Sequence, residues 1–211
     1  NYELIVSMAG GLDANGMVLN LSEVKHAIRS EITEQLDFRF LNEAWPEFDV
    51  TRSEGCLPTT EALVRIIWSR LANQLPLVAL RLYESSGLWA DYLGQTMDAY
   101  LTIRTHFAAA HRLARPELSQ EENEQIYGKC ARPHGHGHNY LVDVTVRGSI
   151  DPRTGMVCDL AALQRLVSDL VVEPFDHTFL NKDVAHFADC VPTAENIALH
   201  IVDRLTTPVR A

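Results

Sequence analysis

The chain has 211 residues, of which 46% are hydrophobic, and it carries a formal net charge of −10. This length accommodates one large or two small domains with a packed core. The negative charge argues against a nucleic-acid surface, because phosphate backbones are bound by clustered lysine and arginine. No apolar run approaches the roughly 20 residues of a membrane span, and the first residues lack the features of a signal peptide, so the cytoplasm is the expected compartment.

The predicted secondary structure begins with a strand from Tyr2 to Ala9, and a similar strand is expected from Tyr140 to Arg147. Each contains β-branched residues, shows a partial alternation of apolar and polar residues, and ends at a turn that contains glycine. An apolar helix stripe follows each strand, namely Val24, Ala27, Ile28 and Ile32 in the first case and Leu163, Leu166, Val167 and Val171 in the second.

Further helices and strands are predicted in the sequence after each stripe. Pro58 and Pro192 each predict a second helix, with the proline in its first turn, where a missing N–H has no cost. Residues 77–83 and 99–105 are predicted strands, and Ser85-Ser86-Gly87 is a predicted turn.

These elements form an internal repeat. The anchors Asn1-Tyr2, Gly16-Met17-Val18, Asp37-Phe38 and Pro58-Thr59-Thr60-Glu61 recur as Asn139-Tyr140, Gly155-Met156-Val157, Asp176-His177 and Pro192-Thr193-Ala194-Glu195. We therefore predict two units of the α+β class, residues 1–94 and 95–211, each with an antiparallel sheet and two helices. Neither predicted unit is whole, because the first lacks its opening strand and the second lacks its last strand pair. The natural protein is therefore expected to be longer.

Three histidines are predicted to bind one metal ion. His136 and His138 lie two residues apart at the start of a strand, so both point to the same face. His111 is the candidate third ligand, because the small residues before it would let a neighbouring strand approach closely. Three neutral imidazoles leave a tetrahedral zinc ion with one open position, which is typical of a catalytic site. The alternative is a solvent-exposed histidine loop.

Cys130 is the candidate base or nucleophile. Lys129 and Arg132 flank it, and adjacent positive charge favours the thiolate. The alternative is a small buried core residue. The other three cysteines are interpreted as packing residues, because no CxxC pair predicts a disulfide or a cysteine metal site.

Asp176 and His177 form a candidate proton relay. A carboxylate beside an imidazole fixes its tautomer and raises its basicity. The alternative is a polar turn. The first repeat has Phe38 in place of His177, so it lacks the titratable group.

Together these motifs resemble the 6-pyruvoyl-tetrahydropterin synthase and 6-carboxy-tetrahydropterin synthase family. The motifs are Phe107-Ala108-Ala109-Ala110-His111-Arg112-Leu113, Cys130 with His136-Gly137-His138-Asn139-Tyr140, Gly155-Met156-Val157-x-Asp159, Asp176-His177-x-x-Leu180-Asn181 and Pro192-Thr193-x-Glu195-Asn196. The resemblance covers nearly the whole chain as two tandem copies, and the second copy carries most of the diagnostic residues.

The resemblance implies the tunnelling fold, in which several units join their sheets into a barrel with active sites between subunits. It implies a homo-oligomer, such as a trimer of fused units. The implied substrate is 7,8-dihydroneopterin triphosphate, which would lose triphosphate to give a 6-pyruvoyl or a 6-carboxy tetrahydropterin. The spacing of Cys130 to the histidine run fits both subfamilies, so both products stay open.

The resemblance also implies residue roles. Zinc would lie at His111, His136 and His138, with Cys130 as base and Asp176 and His177 as the relay. Glu84 matches the family's pterin-anchoring glutamate but lies in the first copy, and Thr193 and Glu195 are assigned to substrate binding. Two other readings stay open, namely a catalytically silent pterin-binding or scaffolding homologue and an unrelated zinc hydrolase with three histidine ligands.

Overall fold

The computed structural model of the chain describes residues 1–210. The strands are β1 (Glu3–Met8), β2 (Leu77–Ser85), β3 (Leu88–Tyr92), β4 (Asp98–His111), β5 (His136–Ser149) and β6 (Thr178–Phe179). The α-helices are α1 (Leu21–Ile28), α2 (Glu34–Leu36), α3 (Leu41–Ala44), α4 (Thr60–Leu71), α5 (Gln120–Tyr127), α6 (Leu160–Val167), α7 (Glu173–Phe175), α8 (Leu180–Asp183) and α9 (Ala194–Arg210). The predicted α+β class is confirmed. Within the described residues, no helix is long and apolar enough to cross a membrane.

The strands follow the hydrogen-bonded order β1-β2-β3-β4-β5, and β6 pairs with β4. The pairs β1–β2, β2–β3 and β3–β4 are antiparallel, whereas β6 runs parallel to β4. The turn predicted at Ser85-Ser86-Gly87 joins β2 to β3. All four predicted strand positions are occupied by strands, whereas β3 and β6 were not predicted.

The chain divides into two compact units. Unit 1 comprises Asn1–Arg104 with Val144–Cys158, and unit 2 comprises Thr105–Asp143 with Asp159–Ala211. The long strands β4 and β5 each contribute residues to both units. The predicted division into residues 1–94 and 95–211 follows the two sequence repeats, whereas these units are defined by contacts between residues. The predicted division therefore stays a prediction.

The core of unit 1 lies between α4 and the sheet. Helix α4 contacts β2 and β3, and its buried side chains include Leu63 and Ile67. The Thr59 side chain caps the helix by accepting the N–H of Ala62. The prediction that Pro58 and Pro192 lie in a first helical turn is wrong, because α4 begins at Thr60 and α9 at Ala194, so each proline precedes its helix.

Unit 2 has a core of aromatic side chains. Phe107 on β4 meets Phe175 edge to face at 5.4 Å between ring centroids, and both are buried. Helix α6 is capped by Asp159, whose side chain accepts the N–H of Ala162. This diagnostic aspartate therefore has a structural role, which Asn20 fills at the start of α1 in unit 1.

Both repeats contain a π-helical turn at the same place. It spans Arg29–Thr33 after α1 and Ser168–Val172 after α6. Each leads into a residue with positive φ, which is 55° at Phe38 and 57° at His177. Non-glycine residues seldom adopt this conformation, and such residues concentrate at functional sites. The relay position in unit 2 is therefore built on a backbone that the first repeat shares.

Candidate metal centre and acid–base site

Three histidine side chains of unit 2 converge on one point. His111 is the last residue of β4, and His136 and His138 lie at the start of the neighbouring β5. One ring nitrogen from each lies within 4.8 Å of the other two, the one such group of three within residues 1–210. The Nε2 atoms of His111 and His136 are 3.1 Å apart. Two nitrogens on a tetrahedral zinc ion are separated by about 3.3 Å, so the three rings fit a metal ion.

The protein fixes the tautomer of His111. Its Nδ1 lies 2.7 Å from the carbonyl oxygen of Pro192, to which it donates its proton. The lone pair of Nε2 therefore faces the other two histidines, as in metal sites whose ligands donate their second N–H to a carbonyl. Burial lowers the pKa of His111, and the neighbouring histidines add to this effect. The neutral imidazole is the form that binds a metal ion.

Gly135 lets the start of β5 approach the end of β4. Its φ is +65°, and an added Cβ would lie 2.6 Å from the carbonyl oxygen of His111 and 2.8 Å from Cε2 of Phe179. Any side chain at this position would push against the backbone of one candidate metal ligand, His111, while lying next to another, His136. Gly135 is therefore a positioning residue that sequence reasoning did not identify.

Replacing Gly135 with alanine is expected to weaken metal binding by about 10–100-fold, the range typical of groups that position metal ligands. The added methyl group must displace the His111 carbonyl and the Phe179 ring, or shift the backbone of residue 135, which directly precedes His136. Zinc affinity can be measured by competition with a chromophoric chelator on the purified, folded protein.

Gly128→Ala provides the matched control. Gly128 has a similar φ of +58°, but no atom lies within 4 Å of an added Cβ, so this variant carries the backbone strain without the contact. It should bind zinc nearly as tightly as the wild type, and His136→Ala sets the level expected for a lost ligand. Equal affinities in Gly135→Ala and Gly128→Ala would contradict the positioning role.

Asp176 and His177 are held against β4. The N–H of His177 donates to the Ala108 carbonyl at 2.6 Å, and the N–H of Ala108 donates to Oδ1 of Asp176 at 2.8 Å. Oδ2 of Asp176 lies 2.7 Å from Nδ1 of His177. The Ala108 hydrogen bond, followed by that to His177, lowers the pKa of the Asp176 carboxyl group. The carboxylate therefore accepts the Nδ1 proton, which leaves Nε2 as the ring nitrogen of His177 that faces away from this hydrogen bond. The His177 side chain is 84% exposed.

Cys130 lies on a short 3₁₀ helix, Gly128–Ala131, directly after α5. Its thiol is free and half-buried. Its carbonyl accepts the N–H of Leu113 at 2.9 Å, which holds this segment beside the chain that leaves β4 after His111. The structure therefore brings Cys130 into the same unit as the three histidines and the relay pair.

The predicted substrate-binding residues fall in different units. Thr193 and Glu195 lie at the start of α9 in unit 2, directly after Pro192, whose carbonyl holds His111. The backbone N–H of Glu195 itself, followed by the Thr193 hydroxyl, lowers the pKa of the Glu195 carboxyl group. Glu84 lies exposed on β2 of unit 1 and accepts a hydrogen bond from the Thr60 hydroxyl. Thr60 is buried and was not predicted.

Fold and site together define an α+β protein with a three-histidine centre suited to a metal ion and a hydrogen-bonded carboxylate–imidazole pair. The family description "6-pyruvoyl tetrahydropterin synthase" matches residues 1–95 and 100–211. The chain belongs to this family, and the two matching segments are consistent with the internal repeat.

Individual relatives give the same assignment. The 6-pyruvoyl tetrahydrobiopterin synthase of Poecilia reticulata is 50% identical over 112 residues, which is 53% of this chain and 76% of the relative. The human protein of that name is 49% identical over 112 residues, covering 53% and 77%. A putative 6-carboxy-5,6,7,8-tetrahydropterin synthase of Archaeoglobus fulgidus is 36% identical over 108 residues, covering 51% and 76%.

A solved structure supports the fold. The 6-pyruvoyl tetrahydropterin synthase of Caenorhabditis elegans superimposes with a TM-score of 0.51 at 43% identity, covering 52% of this chain and 78% of that one. The predictions of the family and of a pterin-synthase-type enzyme are thereby confirmed.

Proposed function

We propose that the chain is a zinc-dependent lyase that acts on 7,8-dihydroneopterin triphosphate and forms a 6-substituted tetrahydropterin with loss of triphosphate. The observation that carries this proposal is the convergence of His111, His136 and His138, with ring nitrogens within 4.8 Å of one another, in a member of the pterin synthase family. The family match favours this reaction over that of an unrelated zinc hydrolase.

The 6-pyruvoyl product is the first candidate. Relatives with that name reach 50% identity, whereas the relative named for the 6-carboxy product is 36% identical. The 6-carboxy product is the second candidate, because the spacing from Cys130 to the overlapping histidines fits either subfamily.

In the proposed mechanism, the metal ion and the side chains have separate chemical roles. A zinc ion at the three histidines would polarise the side-chain hydroxyl groups of the substrate and acidify the neighbouring C–H bonds. Cys130 acts as the base that takes a proton from a carbon atom of the substrate's side chain. His177, oriented by Asp176, transfers a proton at an oxygen atom of the substrate's side chain as triphosphate leaves.

The remaining residues bind and orient the substrate. Glu84 would anchor the pterin ring through its carboxylate, which the Thr60 hydroxyl holds in place. Thr193 and Glu195 would contact substrate beside the metal centre, because Pro192 next to them holds His111.

We also propose that the chain functions as a homo-oligomer, and we expect this oligomer to be a trimer. Strands β1 and β5 stand at the two ends of the strand order. An unpaired edge favours association with another strand or chain, and pairing between copies would cover both edges. The exposed His177 is suited to a site that a neighbouring unit completes.

Incubation of the purified protein with 7,8-dihydroneopterin triphosphate and zinc tests the reaction. Mass spectrometry should detect a 6-substituted tetrahydropterin and one equivalent of free triphosphate, and a chelator should abolish both. Pterin binding without turnover would favour the silent homologue. Stepwise phosphate release from an unchanged pterin side chain would indicate a hydrolase instead.

A further inference from the structure

One short segment of unit 2, residues 176–181, follows β4 to its last residue, His111, and beyond. The segment begins with the relay pair, which is hydrogen-bonded to both backbone groups of Ala108. Strand β6 comes next and pairs with Ala109 and Ala110. Because β6 has only two residues, a different group has to hold the chain that follows His111.

Asn181 holds the residue directly after His111. Its Oδ1 accepts the N–H of Arg112 at 2.8 Å, and its Nδ2 donates to the Arg112 carbonyl at 3.0 Å. A hydrogen-bonded residue of a neighbouring antiparallel strand would exchange the same two bonds with Arg112. A side-chain amide can replace that residue because it carries both a donor and an acceptor. Asn181 therefore takes the place of strand pairing just beyond His111.

We propose that Asn181 is a positioning residue that fixes His111 relative to the relay pair. The relay pair, Asp176 and His177, and Asn181 belong to one segment, and they hold β4 on the two sides of His111. In the proposed reaction, the metal ion and the imidazole of His177 act on the same substrate side chain, so their relative position has to be kept within a narrow range. Both polar atoms of the Asn181 side chain bond to Arg112, so Asn181 acts through the backbone of that residue.

Asn123 makes the same pair of hydrogen bonds further along the chain from His111. Its Oδ1 accepts the N–H of Arg115 at 2.7 Å, and its Nδ2 donates to the Arg115 carbonyl at 3.0 Å. Asn123 is only 2% exposed, and its Nδ2 also donates to two further carbonyls. Loss of Asn123 should therefore cost at least as much fold stability as loss of Asn181, while it leaves the residue next to His111 in place.

Asn181→Ala is expected to weaken zinc binding by about 10–100-fold, the range for groups that support metal ligands. Without the amide, the Arg112 N–H and carbonyl both lose their partner, and the chain after His111 is released. Asn181→Asp still accepts the Arg112 N–H but cannot donate to the carbonyl, so it should fold and show an intermediate affinity. Chelator competition on the purified, folded proteins measures these affinities.

Turnover at saturating zinc isolates the effect on the relay pair. With the metal site filled, kcat and kcat/KM of Asn181→Ala should fall by the same factor, about 10–100-fold, because a misplaced proton-transfer group weakens the transition state and not substrate binding. An unchanged kcat would contradict the fixed relation between His111 and the relay pair. This measurement rests on the proposed reaction, whereas the zinc affinities require no turnover.

Asn123→Ala is the matched control, and it should lower the melting temperature while zinc affinity stays near the wild-type value. Gln120→Ala is the second control, because Gln120 accepts a hydrogen bond from the Arg112 guanidinium at 2.7 Å and its loss frees the side chain but not the backbone. It should bind zinc as the wild type does. Wild-type affinity in Asn181→Ala, or equal weakening by Asn181→Ala and either control, would overturn the proposal. A wild type that binds zinc but forms no product contradicts the reaction alone.

Discussion

Replacing Cys130 with alanine is expected to lower turnover by about 10²–10⁴-fold, the usual contribution of a positioned acid or base. The fold should persist, because the thiol is half-buried and the backbone contact to Leu113 does not involve the side chain. Zinc content should also persist, because the three histidines complete the metal centre without a thiolate. Steady-state turnover, zinc analysis and thermal melting on the same preparation measure all three quantities.

Cys190→Ala is the matched control for this experiment. Cys190 is also a free, half-buried cysteine of unit 2, and its thiol donates to the neighbouring Val191 carbonyl at 3.9 Å. Its replacement should leave turnover near the wild-type value. Full activity in Cys130→Ala would instead remove the lyase mechanism and favour the silent pterin-binding alternative.

Replacing His177 with phenylalanine is expected to lower turnover to a similar degree while leaving the protein folded. The first repeat already places Phe38 at this position with φ of 55°, against 57° at His177. The backbone therefore accepts phenylalanine in this conformation, and the large exposure of His177 leaves little packing to lose. Only the imidazole that Asp176 orients is removed. Turnover and melting temperature are again the measurements.

Combining the two substitutions distinguishes a relay from independent roles. If Cys130 and His177 act in one proton-transfer sequence, the double variant should be little worse than either single variant, because residues that act as a unit are not additive. Losses that multiply would indicate separate roles and would contradict the relay.

The regular elements could largely be predicted from local pattern. Alternation indicated β1 and β5, and the apolar stripes indicated α1 and α6. Helix α5 was not predicted, because its sequence is polar and lacks an apolar stripe, although the capping box of Ser119 and Glu122 was a readable signal. The five-residue strand β3 was also missed, since Trp89 and Ala90 are both buried and interrupt the alternation.

The site could be predicted where it depends on which residues of a strand face the same side. It could not be predicted where it depends on contacts between residues that are far apart in sequence. His136 and His138 follow from their spacing on β5. The Pro192 carbonyl that orients His111 lies 81 residues away, and no local pattern encodes that approach. The same holds for Thr60, whose hydroxyl meets Glu84 across 24 residues. Gly135 could have been noticed as a glycine between two histidines, but its contacts with His111 and Phe179 required the structure.

The placement of every candidate metal ligand in unit 2 determines where the free energy of metal binding would act. A ligand that binds only the folded state stabilises it in proportion to the logarithm of its free concentration over its Kd. His111, His136, His138 and the supporting Pro192 all belong to unit 2, and unit 1 supplies none of these four groups. Metal availability would thus change the stability of unit 2, and the two units would then differ in their resistance to unfolding when the ion is scarce.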